Sequence, residues 1–106
     1  MLDFSKNVIE IIQSIPKGKV ITYKLIAEMA GCERGSRQVA RLLHTCTVKY
    51  NLPWHRVISS KGNIVTPQGG LYEAQYELLT AEGVYVKKDG SIDLEKYLWM
   101  GETGGK

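Results

Sequence analysis

Cysteine is scarce in this sequence: only Cys32 and Cys46 are present. One disulfide is possible, but a small secreted fold stapled by several is excluded. Among Cys32, His44, Cys46 and His55 neither Cys-x-x-Cys nor His-x3-His spacing occurs, so no metal and no cofactor are expected. Long apolar runs are missing as well. A bilayer span needs about 20 consecutive apolar residues, and no such stretch is present, so no membrane partner is expected. The opening Met1-Leu2-Asp3-Phe4 lacks the basic stretch and apolar block of a secretory signal, so a cytoplasmic, reduced protein is expected. Acidic residues are absent from Arg34 through Tyr72, a stretch that holds Arg34, Arg37, Arg41, Lys49, Arg56, Lys61 and both histidines. One positive face follows, and it favours a polyanionic partner over an acidic one. The alternative is a solvated basic surface with no partner.

What is present describes one folded domain. The 106 residues are 43% apolar and 24% charged, with a net charge of +3. Residues 1–100 are expected to form the domain and 101–106 a frayed, glycine-rich tail. Phe4, Val8, Ile11, Ile12 and Ile15 share one helical stripe, with Asp3 or Ser5 as its cap and Pro16-Lys17-Gly18 as its stop. Val20-Ile21 is a short apolar link. Thr22 then caps a second helix carrying Leu25, Ile26 and Met29, which Gly31 ends. Ser36 is placed as the cap of a third. There Val39, Leu42, Leu43 and Cys46 form the packing stripe, while Arg37, Arg41 and His44 point the other way. A short helix, a tight turn and a basic amphipathic helix outline a helix-turn-helix.

Thr47 to Trp54 reads as a loop. Arg56–Ser59 and Asn63–Val65 around Ser60-Lys61-Gly62 read as a hairpin, in the position of a wing. Leu71, Ala74, Gln75, Leu78 and Leu79 mark a further helix ended by Gly83. Val84–Val86 and Ser91-Ile92 around Asp89-Gly90 suggest a second hairpin, and Leu94 to Trp99 a closing helical turn. The expected fold is α/β and mostly helical: a winged helix-turn-helix domain with about five helices and small β-hairpins.

Leu52-Pro53-Trp54-His55-Arg56-Val57 differs in kind from its surroundings. In isolation it is a loop anchored by a half-buried tryptophan. It also resembles the Pro-Cys-His-Arg-Val signature of the O6-alkylguanine-DNA alkyltransferases, with tryptophan at the acceptor cysteine, as in the alkyltransferase-like proteins. Ile15–Tyr23, Ser36-Arg37-Gln38-Val39, Leu79–Val84 and Ile92–Trp99 extend the resemblance from about Phe4 to Trp99.

The resemblance implies non-enzymatic recognition of O6-alkylguanine in double-stranded DNA by minor-groove binding and nucleotide flipping. It also implies that a monomer flags the lesion for nucleotide excision repair proteins. Tyr23 matches the tyrosine that presses on the phosphate of the target nucleotide. Arg37 matches the arginine that fills the vacated place in the stack, a role suited to a planar guanidinium. Tyr23, Trp54, His55, Arg56, Gly69 and Gly70 are the implied lesion pocket; Tyr23, Ser36, Arg37, Arg41 and His44 are the implied DNA contacts. Arg41 stands where the family often has a small residue. His55 and Glu82 match the pair that serves the transferase cysteine; beside Trp54 they have no thiol to activate and are expected to remain as a structural hydrogen-bond pair. Two other readings stay open at this level: an active alkyltransferase using Cys46 or Cys32, and a winged-helix transcription regulator with no pocket.

Overall fold

The computed structural model describes residues 3–64 and 70–100. Helix α1, Asp3–Ser14, buries Val8 and Ile12 and half-buries Phe4 and Ile11, as its stripe demands. Asp3 and Ser5 both fall inside the helix, so neither is its N-cap. Strand β1, Ile21–Thr22, leads into α2, Tyr23–Met29. The Thr22 hydroxyl accepts from the Leu25 N–H at 3.1 Å, the expected cap. Beyond the helix Gly31 has φ +103°, where a Cβ would be strained.

Helix α3 runs from Ser36 to Tyr50, one turn further than expected. Thr47 to Tyr50, read as loop, are helical. Tyr50 packs on the core, and the helix stops at Asn51, which adopts the left-handed conformation that asparagine tolerates. Gly35, not Ser36, is the N-cap, and no side chain caps this end. A Cβ on Gly35 would come within 2.7 Å of the Phe4 ring, so the turn into α3 passes directly over α1.

A 3-10 turn, Trp54–Arg56, follows and passes into strand β2, Val57–Ile58. This strand pairs in parallel with β1, Ile21 opposite Val57 and Thr22 opposite Ile58. The expected wing is therefore corrected. Its first arm is claimed by β1, and Asn63 bridges Ser91 instead. Only the tight turn survives, with the Ser59 N–H donating to the Asn63 carbonyl at 3.0 Å. Val65 lies outside the described residues. Helix α4, Gly70–Ala81, buries Gln75 and Leu79 but leaves Leu78, expected inside, exposed. Gly83 ends it with φ +91°. A Val86–Ile92 bridge closes the small second hairpin over Gly90, and α5, Leu94–Tyr97, is the closing turn.

Two clusters fill the interior. The first lies among α1, α2 and α3 and includes Ile12, Ile26, Val39, Leu43 and Val57. The second gathers Val20, Ile58, Leu79, Val84 and Tyr97. The β1–β2 pair contributes to both, so it sits at the joint between the helical cluster and the C-terminal part. Leu98 bridges Val20, and the Trp99 N–H donates to the Val20 carbonyl at 2.8 Å, which locks the C-terminal segment onto the same joint. The result is a mostly helical small domain with a two-stranded parallel sheet.

Candidate nucleic-acid interface

Helix α3 separates its chemistry as the spacing requires. Val39 and Leu43 are buried, whereas Arg37, Arg41 and His44 are exposed. Among the described residues no carboxylate lies within ion-pair distance of either arginine. Both guanidinium groups are thus available to an outside anion. Ser36 sits half-buried at the start of the same helix.

At the far end of this face is a cleft of about 340 Å³, within the usual range for ligand sites. Tyr23 from the start of α2, His44 and Thr47 from α3, and Trp54 from the 3-10 turn line it together with Leu43 and Gln75. Tyr23 and Trp54 are half-buried and pack on the core with their inner parts. Burial pushes the Tyr23 phenol above its usual value. The lining is largely apolar and aromatic, and among the described residues it contains no carboxylate. Val48, at its edge, is 94% exposed.

The resemblance puts His55 and Arg56 in the lesion pocket, but neither is among the residues that line this cleft, although the His55 ring meets the Trp54 ring edge-on at 6.3 Å. Glu82 collects the His55 and Arg56 side chains. Its Oε2 lies 2.8 Å from His55 Nε2 and accepts from Arg56 Nη2 at 2.6 Å. Its Oε1 accepts from the Gly18 N–H and from Arg56 Nε, each at 3.1 Å. Arg56 Nη1 also donates to the Ile15 carbonyl at 2.7 Å. Burial by itself would raise the Glu82 carboxyl; the hydrogen bonds from Arg56, His55 and Gly18 and the charge on His55 outweigh it and lower the group to about 2. One carboxylate therefore ties the end of α4 to the end of α1, the Gly18 turn and the Trp54 turn. A three-turn helix and a loop separate Glu82 from the Pro-Trp-His-Arg run, so local sequence alone could not reveal that Arg56 faces inward.

Of the remaining expected residues, Gly70 opens α4 and Gly69 lies outside the described residues. Cys46 packs half-buried against the core and Cys32 is exposed beyond α2; neither lines the cleft. The cleft residues absent from the expected set are Ala40, Leu43, Thr47, Val48, Val57 and Gln75. Thr47 and Val48 were hidden by the misplaced helix end. Leu43 and Gln75 read as ordinary interior positions.

A family model for the 6-O-methylguanine DNA methyltransferase, DNA binding domain, matches residues 3–84. The chain belongs to this family. Its relatives include base-flipping and alkyltransferase-like proteins as well as methylated-DNA--protein-cysteine methyltransferases. The DNA base-flipping protein of Escherichia coli (strain K12) is 41% identical over 96 residues, covering 91% of this chain and 74% of its own length. Alkyltransferase-like protein 1 of Schizosaccharomyces pombe is 33% identical over 104 residues, covering 93% and 96%. The crystal structure of S. pombe Atl1 in complex with damaged DNA containing O6-carboxymethylguanine matches with a TM-score of 0.79 at 34% identity. That match covers 93% of this chain and 96% of the other.

Proposed function

We propose that this protein recognises O6-alkylguanine in double-stranded DNA without chemistry, by turning the modified nucleotide into the Tyr23–Trp54 cleft. The observation that carries this reading is the joining of that cleft to a basic helix face whose arginines meet no carboxylate among the described residues. Arg37 and Arg41 bind the backbone and the gap in the stack. The neutral Tyr23 phenol presses on the target phosphate. The Trp54 indole offers the extruded base a stacking face and one N–H donor. Trp54 stands at the acceptor position of the family signature, and an indole carries no nucleophile comparable to a thiolate. The relatives bearing base-flipping and alkyltransferase-like names support this reading.

The finer assignment is that the protein acts in the cytoplasm as a monomer, docks in the minor groove and flags the lesion for nucleotide excision repair. The test is a binding titration against matched duplexes with and without O6-methylguanine, followed by intact-mass measurement. Tighter binding to the modified duplex and an unmodified chain are expected. Equal affinities would refute lesion recognition, and a gain of one methyl group would make the protein a transferase.

A further inference from the structure

Gln75 is the polar side chain on α4 that the fold buries most completely, at 1% exposure. Burying a carboxamide costs free energy unless its hydrogen-bonding groups are satisfied. Here the amide nitrogen lies 3.0 Å from the His55 carbonyl and 3.2 Å from the Val57 carbonyl. Carbonyls only accept, so the nitrogen must face them, and each of its two hydrogens has one partner.

The two carbonyls belong to residues on either side of Arg56. His55 lies in the 3-10 turn and Val57 begins β2, so Gln75 spans the junction between them. Strand β1 occupies one edge of β2, and Gln75 serves the other as a neighbouring strand would. The Val57 N–H in turn donates to the Trp54 carbonyl and closes the 3-10 turn. Gln75 is thus one hydrogen-bond step from the Trp54 peptide, and it lines the same cleft. The Glu82 cluster holds the turn through the side chains of His55 and Arg56; Gln75 holds it through the backbone.

We propose that Gln75 is a positioning residue for lesion recognition: by holding the His55 and Val57 carbonyls it fixes where Trp54 stands in the cleft. This role builds on the lesion-binding reading above. It predicts that losing the donors harms discrimination more than grip, because the arginines of α3 lie on another element and Arg41 still meets phosphate.

Three proteins decide it: the unaltered chain, Gln75→Met and Gln75→Lys. Methionine keeps the length and apolar bulk but donates nothing. Lysine keeps reach and restores donors. Each is titrated with undamaged and O6-methylguanine duplexes, and the Trp54 indole N–H resonance is recorded without DNA. For Gln75→Met, affinity for modified DNA should fall roughly tenfold while that for undamaged DNA changes less than about twofold, and the indole resonance should move. Gln75→Lys should return both toward their original values. A folded Gln75→Met with unchanged preference and an unmoved indole signal would overturn the role. If Gln75→Met does not fold, a folded Gln75→Lys without lesion preference overturns it, and one with preference upholds it. An unaltered chain that shows no preference overturns the lesion-binding reading, whereas the indole signal still reports on the positioning.

Discussion

Arg56 meets Glu82 side-on: Nη2 lies 2.6 Å from Oε2, and Nε lies 3.1 and 3.2 Å from the two carboxylate oxygens. Both side chains are nearly enclosed, at 12% and 11% exposure. Removing one partner strands the other's charge away from water. Arg56→Met should therefore destabilise the fold by about 3–5 kcal/mol, read from urea unfolding. The double replacement Arg56→Met with Glu82→Gln should cost less than the single one, because the stranded carboxylate is gone and the amide oxygen still accepts from His55. A double variant weaker than Arg56→Met would contradict this account.

The same carboxylate makes stability depend on acid. Its folded value of about 2 lies below its ordinary 4.5. An acid lowered by folding contributes fully above its unfolded value and loses that contribution as pH falls through the folded one. The interval from about 4.5 down to about 2 is thus the window of loss, with roughly 3 kcal/mol at stake. Thermal unfolding of the unaltered protein and Glu82→Gln across pH should show the largest gap near neutrality and a shrinking one below about pH 4.5. A gap that does not change with pH would show that Glu82 acts by packing alone.

Trp54 has two tasks, since its inner part rests on the core and its outer part lines the cleft. Stacking between a base and an aromatic ring is worth about 1–3 kcal/mol. Trp54→Ala should lower affinity for O6-methylguanine DNA by about 5- to 150-fold and leave undamaged DNA nearly unchanged. Thermal unfolding run alongside separates lost stacking from lost fold. Equal losses on both duplexes by a folded variant would remove Trp54 from the lesion site.

Arg37 and Arg41 share a face but should differ in kind. If Arg37 fills the emptied stack as proposed, Arg37→Ala should reduce the preference for modified DNA. Arg41→Ala should weaken all duplexes alike and flatten the salt dependence by about one unit, as expected for one lost phosphate contact. Titrations over a salt series test both. Identical preference ratios in the two variants would collapse the distinction.

Features governed by neighbours in the chain were legible in advance. The α1 stripe, the Thr22 cap and the glycines at 31, 83 and 90 follow from local periodicity and from backbone conformations that only glycine adopts freely. The basic face of α3 was readable for the same reason. What failed depended on distant partners. Val57-Ile58 suits a strand in any pairing, and nothing nearby announces that β1 will claim it. Arg56 reads as a surface cation until Glu82 folds onto it. Gln75 looks like a neutral place on a helix, and its value comes from two carbonyls on another element.

The Ile21–Val57 pairing encloses the whole of α2 and α3 within one loop of chain. Contacts between those two helices are close in sequence and can form early, whereas the strand pair must first bring the loop ends together. The arginines belong to the early part; the Trp54 turn is held only once the loop has closed. A chain whose strand pair has opened would therefore still cling to DNA but could no longer tell damaged from intact. Selectivity should thus melt before affinity as the protein is warmed, and hydrogen exchange at Val57 and Ile58 should mark the temperature at which it does.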